Sequence, residues 1–241
     1  MNACMFSSSG IKTTQFSMAD SDKQGALKMD MLFTEIQSKL QTAMELLLTD
    51  GRIEDKGSVK ANYEAYFHPD VIEMEDRHMW KTSHTGEIID LFQFSTPVGL
   101  NAIRVTEPYN VYEATATNCL MRLMGEDGVV PIEKYVQFKE NPQLWVDELD
   151  KYKLEGATRD SIIELLSPSY GVASMQEEMM MMLMNENVCG FTVAEANKAR
   201  KAVAKKKKDV MAEVKEMIYQ KALSRNIAEY VWHEIVLPQA G

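Results

Sequence analysis

The densest chemistry in this sequence is cationic. Between Asn197 and Arg225 stand ten lysines and arginines against three acids (Asp209, Glu213 and Glu216), a local charge of +7 in a 241-residue chain of formal net charge −10. The rest of the chain therefore carries −17, so the positive charge is gathered in one place. In an acidic protein that concentration marks one anionic contact site rather than a general nucleic-acid coat. Arg200 offers a planar fork of donors that matches phosphate, while Lys201, Lys205, Lys206, Lys207 and Lys208 are point charges. A basic helix end turned to solvent accounts for Lys206 and Lys208 equally well. A second pattern is smaller. In Gly25-Ala-Leu-Lys-Met-Asp-Met-Leu32 apolar and polar residues alternate. As a strand, this segment puts Lys28 and Asp30 on one face and Leu27, Met29 and Met31 on the other. A cation beside a carboxylate can contact phosphate or keep the carboxyl ionised; a surface ion pair is the plainer alternative. Cys4, Cys119 and Cys189 form no Cys-x-x-Cys, and the four histidines lack zinc spacing, so neither a structural zinc nor a disulfide frame is expected.

The elements that must carry these residues are mostly helices. After the short strand, Ile36, Leu40, Ala43, Met44 and Leu47 fall on one helical face, opened by a Thr34/Gln37 capping box and closed at Asp50-Gly51. Residues 52–85 read as a loop-rich connection with a short helix near Val59–Phe67. Ile88–Phe94 reads as a strand or a strand-to-helix turn. Helices are expected over Asn110–Leu123, Pro131–Phe138, Pro142–Leu149 and 158–166, with a turn at Gly125–Gly128. The tract Met179–Met184 reads as buried helix, because methionine is a good helix former and an adaptable core filler; that helix is expected to stop near Cys189-Gly190. Thr192 and Glu195 form a second capping box, opening a helix through Arg200 toward Lys205. Asp209 is the expected N-cap of a helix to about Ala222, and Ile227–Val236 forms the last. No run of 18 apolar residues occurs and no signal peptide is evident, so a cytoplasmic protein without a membrane span is expected.

Three ordered blocks then carry a resemblance. Tyr170-Gly-Val-Ala-Ser-Met-Gln176-Glu177, Gly190-Phe-Thr192 and Ala196-Asn-Lys-Ala-Arg200-Lys201-Ala-Val-Ala-Lys205-Lys-Lys207 resemble, in order and spacing, the bacterial DNA polymerase III alpha subunit, the C family of replicative polymerases. Thr13-Thr-Gln-Phe16, Lys28-Met-Asp30-Met-Leu32 and Leu91-Phe-Gln93-Phe-Ser95 are similar to its amino-terminal blocks, and Leu120-Met-Arg122-Leu-Met-Gly125 is a weaker echo. Residues 52–85 and 126–157 match poorly. Lys201 stands where the family has a second arginine, which keeps the charge and loses the bidentate geometry.

The resemblance implies an α+β fold, predominantly helical: a small piece of a nucleotidyltransferase-type palm sheet, then an all-helical fingers region. Residues 1–51 are the expected palm segment, 52–117 the connection and 118–241 the fingers. It also implies template-directed nucleotidyl transfer from dNTPs with two Mg²⁺, about 3.5–4 Å apart, holding the attacking and leaving oxygens. Asp30 would be a metal ligand with Lys28 beside it; Arg122, Gln176, Arg200, Lys201, Lys205 and Lys207 would hold the nucleotide. The expected partners are primer-template DNA, dNTP and the remaining polymerase segments. Those segments carry the other two catalytic aspartates upstream and the thumb downstream, in a bacterial or phage-infected cell. One carboxylate cannot organise two Mg²⁺, so the chain is expected to be a fragment, one piece of a split polymerase or the product of an interrupted frame, and inactive alone. A non-catalytic helical module that binds nucleic acid or protein and derives from a polymerase is the alternative.

Overall fold

The computed structural model describes residues 4–27, 29, 35–86, 88, 91–123, 130–205 and 208–240. They divide into two compact units, Met1–Ile72 and Glu73–Gly241.

The first unit opens with a hairpin. Strands β1 (Cys4–Phe6) and β2 (Lys12–Thr14) pair antiparallel, Cys4 opposite Thr14. All six strand residues are exposed, so the backbone ladder rather than burial holds the pair. Helix α1 (Met18–Lys23) follows, its first turn capped by Ser17. Helix α2 (Ile36–Thr49) forms where the apolar spacing places it, buries Met44, and ends as expected at Asp50, with Gly51 at φ +67° beyond it. Helix α3 (Val59–Tyr66) is capped by Ser58, which accepts the Ala61 N–H. The strand expected over 25–32 is not found among its described residues. Gly25–Leu27 and Met29 lie outside any strand, with Leu27 and Met29 at 85% and 77% exposure. Lys28, Asp30 and residues 31–34, with the Thr34 cap, lie outside the described residues. Nothing described packs on the Leu27/Met29 face.

The described residues of the second unit are helical or in turns. Helix α4 (Arg77–His84) was not anticipated, whereas helix α5 (Pro97–Thr106) follows the segment read as a strand or a strand-to-helix turn. Only Trp80 of α4 is buried, so its sequence shows no apolar stripe. The described part of the Ile88–Phe94 segment is a turn into α5, where Thr96 caps the Gly99 N–H at 3.1 Å. The backbone of Gln93 sits so close that a Cβ on Gly99 would lie 2.5 Å from its carbonyl oxygen. Helices α6 (Val111–Leu120), α7 (Pro131–Glu140), α8 (Gln143–Lys151) and α9 (Gly156–Leu166) lie where the pattern predicts. The turn expected at Gly125–Gly128 lies outside the described residues.

Helix α10 (Gln176–Met184) buries Met179, Met182 and Leu183, as expected of the methionine tract. It stops at Met184, earlier than expected, because the Asn185 carbonyl gathers the N–H groups of Val188, Cys189 and Gly190 in a tight turn. Helices α11 (Val193–Lys205), α12 (Lys208–Lys221) and α13 (Arg225–Tyr230) follow. The last runs on as a π-helical turn, Val231–Val236. The main core joins Leu149, Ile162, Leu166, Met179, Ala199, Val214, Tyr230 and Ile235. A smaller cluster joins Ala116, Leu120, Tyr135, Phe138 and Val172, and Trp145 touches both.

Candidate functional site

Helix α11 separates its residues by the 3.6-residue period. Ala196, Ala199, Ala202 and Val203 are buried. Lys198, Lys201 and Lys205, spaced by three and four, line a surface cleft of about 330 Å³ with Ala194, Asn197 and Ala202 of the same helix and Val210 of α12. Small alanines on the buried side let α11 lie close against its neighbours, which leaves the long cations no direction but outward. The N-terminus is fixed by the expected capping box: Glu195 Oε2 accepts from Thr192 N at 2.7 Å and Thr192 Oγ1 accepts from Glu195 N at 3.3 Å. Lys221 Nζ sits 2.6 Å from the same carboxylate oxygen. These donors, Lys221 foremost, hold the Glu195 carboxyl down at about 2.

Three helices place the cations at one end of the bundle. Helices α10 and α11 pack together across the short connection 185–192, so they run antiparallel. The pairs Lys198–Glu213 at 2.7 Å and Lys221–Glu195 at 2.6 Å set α12 antiparallel to α11. The C-terminus of α11 and the N-termini of α10 and α12 therefore share one end, and a helix N-terminus favours an anion.

Arg200 is half-buried, and its Nε and Nη2 donate to Asn197 Oδ1 at 3.1 and 3.0 Å. Two of its five N–H donors are thus used to orient the fork, and three remain. Lys201 and Lys205 are exposed. Of the residues expected from sequence, Lys201 and Lys205 line the cleft while Arg200 does not; Asn197 and Lys198, which do, were not named as site residues, though the same i, i+3, i+4 spacing carries that signal. Arg122 is exposed just past α6. Burial pushes the Cys119 thiol up, Glu178 and Glu177 add to this, and Arg122 opposes it. Arg122 and the first-turn acids Glu177 and Glu178 of α10 thus all act on Cys119. Lys207, like Lys28 and Asp30, lies outside the described residues, and nothing is described of the Lys208 side chain.

The Tyr170-Gly171 block has a structural reason. Both residues are left-handed, at φ +51° and +84°. A Cβ on Gly171 would collide with the Trp145 indole, while Tyr170 OH donates to Glu113 Oε1 at 2.8 Å. Gln93 is also left-handed, at φ +68°, and its Oε1 is buried without a protein partner. Among the described residues no group of three or more histidines, cysteines, aspartates and glutamates could hold a metal ion, and no helix is long and apolar enough to cross a membrane.

Residues 54–226 match the family model of the bacterial DNA polymerase III alpha subunit finger domain. The chain is 40% identical over 236 residues to a probable DNA polymerase of Bacillus subtilis and, equally, to a DNA-directed DNA polymerase of Bacillus phage SPbeta. It is 27% identical over 230 residues to the DNA polymerase III subunit alpha of Aquifex aeolicus. These alignments cover 96%, 96% and 94% of this chain but 18% of each relative, so the chain spans under a fifth of their length.

Proposed function

This chain belongs to the bacterial DNA polymerase III alpha subunit family through its finger domain, and on that premise we propose that it serves as a fingers-bearing part of a replicative DNA-directed DNA polymerase. Residues 1–51 would belong to the palm, 52–117 would connect, and 118–241 would form the fingers. The observation that carries the reading is the cationic face of α11. Lys198, Lys201 and Lys205 line one cleft, with the Arg200 fork steered by Asn197 beside it. A triphosphate needs several preorganised donors converging from a fixed platform, and a helix capped at its N-terminus and paired to α12 through Lys198–Glu213 supplies one. In this role Lys201, Lys205 and Arg200 bind the triphosphate of the incoming dNTP, with Lys207 continuing the run. Gln176, at the start of α10, and Arg122 approach the same nucleotide.

The described residues do not form a Mg²⁺ cage. Asp30, with Lys28 beside it, is proposed as one metal carboxylate of the assembled polymerase, completed by carboxylates from other polymerase segments. Primer-template DNA and those segments are the proposed partners, in the cytoplasm of a bacterial or phage-infected cell. The pure chain is accordingly expected to give no template-dependent incorporation.

Titration of the pure chain with a fluorescent dNTP tests the triphosphate site. The double variant K201A/K205A is expected to weaken binding about tenfold or more, the effect of losing about 1.4 kcal/mol. Affinity unchanged in that variant would remove the site. Binding of single-stranded DNA with no competition from dNTP would favour a non-catalytic nucleic-acid module instead.

A further inference from the structure

One ion cluster in the core of the helical unit has no part in phosphate contact. Lys134 of α7 holds two carboxylates: its Nζ lies 2.6 Å from Glu148 Oε2 on α8 and 2.5 Å from Glu234 Oε2 on the π-helical turn. The three side chains are 15%, 15% and 19% exposed. Two carboxylates against one ammonium leave one negative charge over, and a buried charge without a partner neutralises instead. Lys151, on the same helix as Glu148, attracts both carboxylates from a distance, but among the described residues no second cation forms an ion pair with either.

The two carboxylates are not equivalent. Tyr152 OH donates to Glu234 Oε1 at 2.7 Å, so both oxygens of Glu234 have donors. Glu148 Oε1 is buried with no protein partner, and Glu148 raises the buried Tyr230 hydroxyl of α13, on which Trp145 also acts. Glu229 reaches this neighbourhood through its effect on Tyr152. Burial pushes Glu148 up despite Lys134. The same burial acts on Glu234, but Lys134 and the Tyr152 hydroxyl hold it below the usual carboxylate range.

We propose that Glu148 and Glu234 share one proton, carried by Glu148, and with Lys134 form a charge-neutral clasp that ties the π-helical turn to α7 and α8 and loosens when the proton leaves. The clasp bears on the cationic face indirectly. The π-helical turn packs on α10 and α12, and the 3-10 turn after it, Pro238–Ala240, packs on α11. An acid raised in the fold binds its proton more tightly than in the unfolded chain. Its contribution is therefore complete below the unfolded value near 4.5 and is lost as pH rises through the folded value. Glu234 has the opposite sign, and its contribution is already complete above that range.

The test is thermal unfolding of the full chain between about pH 5.5 and about pH 8, above the ordinary carboxylate range. The wild-type Tm is expected to fall by about 2–4 °C across that window, with faster amide exchange in Val231–Val236 at the upper end. E148Q keeps the neutral shape and is expected to flatten both responses. E234Q leaves Glu148 as the sole counter-ion of Lys134, lets it ionise, and is also expected to remove the fall. Infrared difference spectra are expected to show a protonated carboxyl at the acid end that E148Q lacks. A fall in Tm that survives in E148Q would overturn the proposal. So would a wild-type spectrum with no protonated carboxyl at the acid end, a readout that stands even if the variants do not fold.

Discussion

Two buried ion clusters of the helical unit use the same residue types in opposite proportions. Around Glu113 one carboxylate receives four donors: Lys139 Nζ at 2.6 Å, Tyr170 OH at 2.8 Å, Tyr109 N–H at 3.0 Å and Asn110 Nδ2 at 3.2 Å. Around Lys134 the ratio is reversed, with two carboxylates on one ammonium. Burial pushes Glu113 up, but hydrogen bonds from Lys139, Tyr170 and Tyr109 outweigh it and the carboxyl lies below its ordinary value. Glu148, whose side chain is 15% exposed against 9% for Glu113, goes the other way. Burial therefore does not fix the charge state of a carboxylate in this protein; the number of donors aimed at it does. The two clusters also hold different things. Glu113 closes a fixed joint where the end of α5, α6, α7 and the Tyr170 turn meet, whereas the Lys134 cluster can change its charge by one proton.

The largest effect expected from this contrast is at Lys139. Its ammonium serves Glu113 and also donates to the carbonyls of Thr106 and Glu107 at 2.8 and 2.9 Å. Lys139→Met would leave a buried carboxylate among donors that keep it ionised, and should cost about 3–5 kcal/mol in urea unfolding at neutral pH. Lys134→Met should cost less, roughly 1.5–3 kcal/mol, because burial raises Glu148 and so favours its neutral form once the ammonium is gone. Its cost should shrink as pH falls, since both carboxylates then neutralise. Equal costs for the two variants, with no pH dependence for Lys134→Met, would show that donor number is not what separates the clusters.

The same contrast explains what the sequence could and could not reveal. Helices α2, α3 and α6 to α12 follow from apolar spacing and caps, which are local, and the cations of α11 were legible because their spacing puts them on the face opposite four buried alanine and valine side chains. The clusters were not legible, because their members lie far apart in the chain: Lys139 is 26 residues from Glu113, Tyr170 is 57 from Glu113, and Lys134 is 100 from Glu234. No periodicity links such positions. Helix α4 was missed for a related reason, since its one buried residue, Trp80, gives no stripe. The hairpin β1–β2 was missed because all of its strand residues are exposed and β-patterning reports burial. The Tyr170-Gly171 block was noticed as a resemblance, but the need for glycine under the Trp145 indole appears only when α8 is in place.

The smallest of these effects is at Tyr170, and it probes the donor count most directly. Tyr170→Phe removes one of four donors to Glu113 and little else, because the ring stays edge-on to Tyr135 at a centroid distance of 5.4 Å. The change should cost about 1.5–2 kcal/mol, as expected for a hydrogen bond to a charged group. It should also alter the acid limb. Glu113 lies below its ordinary value of about 4.5, so its contribution is complete above that pH and is lost as pH falls through the folded value. With three donors the folded value moves back up toward 4.5, the acid loss becomes smaller, and the variant and wild-type stability curves should converge as pH falls below the wild-type folded value. Curves that stay parallel to the lowest pH measured would mean that the hydroxyl acts by packing alone. Glu113 would then owe its charge to Lys139, and the count of donors would reduce to the count of cations.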